Sequence, residues 1–389
     1  MVSIALYFIP IVLCGVTPFV RELSANRRWY VCLGVYLCLF YCFGYMTGAD
    51  WRVYEDWYYN LDFSKFYYGY SREPGYYLYM MLFNRLGIGF WPFLIFTKTV
   101  IFIIIYKTIF DFCRENGYVS LMYFLPWSGM FLLIDNPMRN CIAVGIFIYS
   151  VSFVIEHKFW KFLLCMLLAA SFHFSALLII FFYPLLNRNI KTWVYVVLFI
   201  VVNFIFADRE ILVGMLTFVF GKIPFFQNKV FSYLVMDSAF AQGKLFSFGM
   251  VWQIFLFVLM ACYRERITGQ IGGEKGQFVF NAAMAYMLLL RFAMTIDIFS
   301  RFQLYFTAFL AIAIGLLILS FDLRSRILYM CLLFAVACYA SYDRITSSAR
   351  YVPYTNYLDY ALKGEFPSYS KRYYYNMDHS PFTNEIDFE

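Results

Sequence analysis

Five arginines stand apart from the other basic residues of this chain. Arg52, Arg72, Arg139, Arg291 and Arg301 fall near acids and a solitary histidine, away from the short basic loops. A guanidinium offers a rigid fork of donors that matches phosphate or carboxylate, so such a set suits an anionic substrate. Arg139 follows Asn136-Pro137 at the start of an apolar span. A helix N-terminus there adds free N–H groups and partial positive charge to an anion site. His173 is one of three histidines and the only one within an apolar stretch. An imidazole so placed needs a partner, and can act as a base or a hydrogen-bond donor. Arg291 and Arg301 flank the turn Ala293-Met294-Thr295-Ile296-Asp297. An arginine at mid-membrane costs roughly 2.5–3.5 kcal/mol on insertion scales and less near the edge, which calls for Asp297 or a ligand phosphate beside Arg291. Tyr305 is expected one turn after Arg301 on the same helix face. Asp50, Arg52, Arg72 and Glu73 mix carboxylates with guanidinium groups in one loop, a set that suits binding a pyrophosphate and activating a hydroxyl. Lys98, inside an apolar span, is a weaker candidate. Each has a bland alternative: Arg139 reaching lipid phosphate, His173 as a packed core residue, Arg291 paired internally with Asp297, and the loop charges as surface ion pairs.

The elements that must position these residues are transmembrane helices. Hydrophobic residues make up 63% of the 389 and charged residues 14%, with a mean hydropathy of +0.66. Repeated apolar runs of about 17–22 residues read as spans. They lie near 3–20, 30–47, 91–112, 119–134, 139–156, 160–172, 174–187, 193–207, 245–263, 277–296, 302–320 and 327–342. The reading is an all-α polytopic membrane protein of about twelve segments. The lipid bilayer is its first partner, and the tyrosines and tryptophans suit the interfaces. The net charge of +7 is dispersed among loops, so no nucleic-acid partner is expected. No Lys or Arg precedes Arg21, so the first span reads as retained rather than as a secretory signal. Nine of the ten cysteines lie within apolar runs, Cys113 lies at a helix end, and none forms a CxxC pair. They read as buried thiols rather than disulfides or zinc ligands. No P-loop, GxGxxG, HExxH or Ser/His/Asp signature occurs in a suitable context, and neither a metal nor another cofactor is expected.

The stretch 159–186 decides the topology. It is long for one helix and basic at both ends. Folded as a hairpin of two short helices with Ser171-Phe172-His173 at the turn, it puts loops 21–28, 107–118, 157–161, 187–192, 264–275 and 322–326 on one side. Each of these carries at least two Lys or Arg, as the positive-inside rule requires of cytoplasmic loops. Both termini and the five arginines then fall outside, and the turn at His173 must be covered by protein or line a cavity. Residues 1–342 form one polytopic membrane domain with outer loops at 48–90 and 208–244. Residues 343–389 form a polar, tyrosine-rich outer tail. After Pro74, an apolar and aromatic run suits a helix lying in the interface.

Several pieces together resemble the EpsG family, bacterial relatives of the Wzy-type polysaccharide polymerases. They are Gly48-x-Asp50 followed by Tyr54, Glu73-Pro74-Gly75-Tyr76-Tyr77, Arg139-Asn140 opening a span, Ser171-Phe172-His173-Phe174-Ser175-Ala176, Arg301 with Tyr305, and Pro353-Tyr354-x-Asn356-Tyr357-Leu358. Asn140 stands where the resemblance leads one to expect Gln. What the resemblance implies is a multi-pass enzyme of the bacterial inner membrane with a GT-C-like helical fold. It would join oligosaccharide repeats carried on undecaprenyl pyrophosphate, with its active site facing the periplasm. A hydroxyl of the incoming repeat would attack C1 of the donor chain and release undecaprenyl pyrophosphate. Arg139 and Arg301, with Arg291, Arg52 or Arg72, would hold the pyrophosphate, with Tyr305 and Asn140 as further contacts. His173, Glu73 or Asp50 would accept the proton, and the residues alone do not choose among them. An O-antigen ligase uses the same donor and is the nearest rival, ahead of a transporter or flippase. A chain-length regulator protein is left open as a partner.

Overall fold

A computed structural model describes residues 2–61, 73–220 and 248–382. Among them the regular structure is helical, apart from one isolated bridge between Gly44 and Asn356. In chain order the main helices are α1 (Ile9–Val16), α2 (Arg27–Cys42), α3 (Trp51–Tyr59), α4 (Pro74–Arg85), α5 (Phe90–Cys113), α6 (Gly117–Phe124), α7 (Met138–Ile155) and α8 (Phe159–Phe172). There follow α9 (Thr192–Ile205), α10 (Arg209–Phe220), α11 (Phe248–Cys262), α12 (Arg264–Ile271), α13 (Gly273–Thr295), α14 (Thr307–Leu317), α15 (Leu323–Thr346), α16 (Tyr357–Lys363) and α17 (Tyr369–His379).

Among the described residues, four helical stretches are long and apolar enough to cross a membrane: Phe90–Asp135, Met138–Ile155, Gly273–Thr295 and Leu323–Thr346. Two bent pairs raise the number to as many as six if each is one span. The twelve-segment reading divides the chain more finely, because it counts short helices such as α8 and α9, of 14 residues each. A 14-residue helix is about 21 Å long, against a hydrocarbon core of roughly 30 Å. The first stretch is not one rod. Arg114 adopts φ 49° and ψ −127°, which ends α5. A Cβ on Gly117 would lie 2.8 Å from the Phe110 ring, so the chain turns there.

The chain divides into two compact units. The first comprises Met1–Ser150, Leu163–Ala176 and Phe321–Glu389, and the second Val151–Phe162 and Leu177–Ser320.

The first unit has an aromatic core that joins α3, α4 and the start of α5. Trp51, Tyr54, Tyr58, Tyr76, Phe90 and Phe93 are all buried in it. The C-terminal segment is strapped across this unit. Tyr45 N–H donates to Thr355 O (2.9 Å), Tyr357 N–H to Phe43 O (2.8 Å) and Gly48 N–H to Arg350 O (3.0 Å). Asn356 accepts from Leu358 N–H at 3.0 Å, capping α16, and donates to Leu39 O at 2.9 Å. Tyr354 stacks on Phe40 with ring centroids 4.6 Å apart. The tail expected from residue 343 thus begins inside α15, which runs on to Thr346, and continues in the two short helices α16 and α17.

In the second unit, α13 carries a polar pin. The fully buried Asn281 amide donates to Leu185 O, Leu186 O and Arg188 O, while its carbonyl oxygen accepts from Tyr195 and Gln277. One side chain thereby gathers three carbonyls of the broken chain at 183–188, of which Arg188 O also accepts from Ile190 N–H at 3.0 Å. The Tyr183 ring packs on Phe159 and Phe162 at 5.0 and 5.2 Å, so the chain doubles back as a hairpin. The turn lies at His173-Phe174-Ser175, between α8 and the helical turn Ala176–Ile179. Residues 208–220, expected as loop, instead begin with α10. Leu212 and Leu216, one turn apart, bury against Ile296 and give this helix its apolar face. The rest of that segment, 221–247, lies outside the described residues.

Candidate active site

Glu73 is the hub of a cluster in the first unit. One carboxylate oxygen, Oε1, accepts from His173 Nδ1 at 2.8 Å and from Phe174 N–H at 3.3 Å. The other, Oε2, accepts from Arg139 Nη1 at 2.5 Å. Arg139 Nε donates to the Tyr54 hydroxyl at 3.2 Å, and its guanidinium lies 5.5 Å from the Trp57 ring centroid. A cation over aromatic faces gains electrostatic attraction at a fixed position.

Local sequence explains each placement. Glu73 is the N-cap residue of α4, and Pro74 occupies the first turn, where its fixed φ suits helix entry and its missing N–H costs nothing. Gly75 lets the hairpin turn approach. A Cβ there would clash with Ser171 Oγ and lie 3.1 Å from the Ser171 carbonyl carbon. Glu-Pro-Gly and Ser-Phe-His are therefore two halves of one contact, and the contact brings Glu73 to His173. Arg139 sits in the first turn of α7, which the left-handed Asn136 (φ 65°, ψ 46°) and Pro137 initiate. Tyr54 and Trp57 lie three residues apart and share one face of α3.

The electrostatics follow from these contacts. Burial by itself would raise the Glu73 carboxyl. The hydrogen bond from His173, the charges of Arg139 and His173 and the Phe174 N–H outweigh it and hold the carboxyl down at about 2. Glu73 is thus a carboxylate at neutral pH and a weak base. Arg139 keeps 32% of its side chain exposed, enough to meet a ligand, whereas Glu73 is 7% exposed and acts from below.

The remaining expected site residues lie elsewhere. Arg52 is on α3 but is turned to the tail, with Nε donating to Tyr373 O (3.1 Å) and Nη1 to Gly48 O (2.9 Å). Asp50 precedes α3, and its N–H donates to Asp135 O at 3.2 Å. Asn140 is buried beside Arg139. Arg72 lies outside the described residues. Arg291, Arg301 and Tyr305 belong to the second unit. There Arg291 Nε donates to Asn203 Oδ1 at 3.1 Å, with Nη2 against the Met250 sulfur at 3.2 Å. Arg301 and Tyr305 do not share one regular helix, since a 63° bend separates Asp297–Gln303 from Thr307–Ser320. Lys98 is buried in α5.

Two charged clusters had not been singled out in the sequence. Asp135 accepts from the Tyr351 hydroxyl at 2.6 Å and pairs with Arg344 at 3.3 Å. Glu55, on α3, pairs with Arg372 of α17 at 2.5 Å. Burial raises the Glu55 carboxyl above its usual value, although Arg372 opposes the shift. Both clusters fasten the tail to the elements that carry Tyr54, Trp57 and Arg139. Their only sequence signal is an isolated charge beside aromatics.

Among the described residues, no group of three or more His, Cys, Asp or Glu is placed to hold a metal ion. The helices and the charged cluster define a multi-helix membrane protein with an ionic site formed by a loop, a helix start and a hairpin turn. The model of the EpsG family matches residues 27–358, and the chain belongs to that family. No curated protein and no solved structure gives a match.

Proposed function

We propose that this protein is a polysaccharide polymerase that joins oligosaccharide repeats carried on undecaprenyl pyrophosphate. Membership of the EpsG family points to a polymerase type of function. The observation that carries the chemistry is the single carboxylate shared by His173 and Arg139. With Nδ1–H donating to Glu73, the His173 ring presents Nε2 as its proton acceptor. Glu73 thus orients the base and steadies its imidazolium rather than taking the proton itself, as the buried acid of a hydrolase triad does.

In the reaction, a hydroxyl of the acceptor sugar loses its proton to His173 Nε2 while its oxygen bonds to C1 of the donor. The bond from C1 to phosphate oxygen breaks, and undecaprenyl pyrophosphate leaves with the electron pair. Arg139, fixed by Glu73, Tyr54 and Trp57, meets the charge that develops on the leaving group. Arg72 remains a candidate for a further pyrophosphate contact, Asp50 for the proton acceptor in place of His173, and Asn140 for a substrate contact. About twelve segments in a GT-C-like arrangement, with the site open to the periplasmic face of the inner membrane, complete the reading. The positive-inside loops support that orientation.

The test is the size distribution of surface polysaccharide in wild type, a deletion strain and the deletion complemented with Arg139→Ala or His173→Ala at matched membrane expression. Single repeats without a ladder in all but the wild type support a polymerase with these residues in its site. A ladder retained on undecaprenyl pyrophosphate in the deletion favours a ligase. Unchanged length and attachment overturn both.

A further inference from the structure

An apolar groove of about 360 Å³ runs along the first unit, between α4, α5, α7 and α8. On α7 its wall is Ile142, Ile146 and Tyr149. These residues continue the face that starts with Arg139, at spacings of three, four and three residues. On α8 the wall is Cys165, Leu168 and Phe172, and the next residue is His173. On α5 it includes Val100, between Phe96 and Ile104. Tyr79 of α4 closes one end, edge-on to Phe172 at 6.0 Å, and hydrogen-bonds Thr97 at 2.9 Å. The groove therefore begins one helical turn from the Arg139–Glu73–His173 cluster. It extends about 10 Å along α7, from Ile142 to Tyr149, a third of the depth of a hydrocarbon core of roughly 30 Å.

Its outer rim faces away from the protein: Phe96, Tyr149 and Leu168 are 52%, 66% and 55% exposed. Exposed apolar residues are ordinary on a membrane protein. A concave apolar channel that ends one helical turn from an arginine is not, since a flat helix face is all that bulk lipid needs. Among the described residues, none that lines it is charged. We infer that this groove holds the isoprenoid chain of the lipid-linked donor, with the pyrophosphate at Arg139. The inference rests on the proposed function and adds a site for the part of the donor that does not react. Binding energy gained there would hold C1 of the sugar beside His173.

The test measures binding and needs no turnover. Purified protein in phosphatidylglycerol–phosphatidylethanolamine nanodiscs is labelled with undecaprenyl phosphate carrying a diazirine in its chain, and the adducts are mapped by peptide mass spectrometry. The expected result is label on the peptides of Val100, Ile146 and Leu168, removed by excess undecaprenyl phosphate and not by added phosphatidylglycerol. Val100→Trp, which fills the groove, should cut this labelling about tenfold. Ile103→Trp, at a position 54% exposed on the same helix and outside the groove, should leave it unchanged at equal thermal stability. Label spread evenly over lipid-facing helices, competition by phospholipid, or full labelling of Val100→Trp would overturn the inference. Specific groove labelling in a protein whose deletion leaves the polysaccharide ladder intact would keep the groove and remove the polymerase reading. A lost ladder with unspecific labelling would do the reverse.

Discussion

Replacing Glu73 by Gln keeps the shape of the hub and removes its charge. The amide has one acceptor oxygen where the carboxylate has two. If that oxygen stays with His173 and Phe174, the NH2 group faces Arg139 Nη1 across a 2.5 Å contact, donor against donor. If it flips, His173 loses its partner. A carboxyl held at about 2, against an ordinary value of 4.5, reflects interactions with its neighbours that exceed the cost of burial by on the order of 3 kcal/mol. Those interactions disappear from the ground state. An imidazolium formed during reaction also loses the negative charge 2.8 Å away. General-base assistance is worth about 10²–10⁴ in rate, so a kcat reduced roughly a hundredfold is expected, with donor KM changed only a few-fold. The assay is the initial rate of repeat joining by purified protein on a lipid-linked repeat, followed across pH. Loss of the carboxylate disfavours the protonated ring, so the acid limb of the rate profile should move to lower pH in the variant. A Glu73→Gln protein that folds, polymerises at the wild-type rate and keeps the wild-type pH profile would refute the reasoning.

Three further outcomes follow from the packing. Gly75→Ala should fold but lose at least tenfold in rate, and Ser171→Gly should restore part of it by removing the side chain that the new Cβ meets; the same rate assay on the single and double variants checks this. Gly48→Ala should fail to accumulate, because φ is 86° and a Cβ would clash with the Ile134 carbonyl oxygen; membrane yield and thermal melting measure it. Arg372→Ala leaves the buried Glu55 without its cation, at a cost of about 3–5 kcal/mol. Because a buried carboxyl whose value is raised favours the protonated form, that deficit should shrink as pH falls from 8 towards 5; melting temperatures at the two pH values test the sign.

The parts of the site legible in the sequence were those in which a local rule meets a membrane constraint. His173 stood out because an imidazole in an apolar run must have a partner. Arg139 stood out because it opens a helix after Asn-Pro. The Lys/Arg bias of the loops favoured a hairpin turning at Ser171-Phe172-His173; the structure carries the helix on through Phe172 and turns at His173-Phe174-Ser175. What periodicity could not show is pairing across long separations. Glu73 and His173 are a hundred residues apart, and their contact depends on Gly75 and Ser171 approaching closely, which no spacing rule encodes. Arg52 illustrates the opposite case. Its type and position fit an anion site equally well, yet its fork is turned to backbone carbonyls of Gly48 and Tyr373. The tail reads as polar and loose because it lacks apolar runs. It is held instead by main-chain hydrogen bonds and by the Glu55–Arg372 and Asp135–Arg344 pairs, whose partners lie over two hundred residues apart.

The central claim is that one protein joins lipid-linked repeats with His173 as base. Its most direct measurement is reconstitution of the purified protein with a single synthetic undecaprenyl-pyrophosphate-linked repeat, counting glycosidic bonds formed and undecaprenyl pyrophosphate released. Products of two repeats and more are expected, with one undecaprenyl pyrophosphate released per bond formed and neither product with His173→Ala. Absence of any product longer than one repeat from an active, folded preparation, or full activity in His173→Ala, would contradict it.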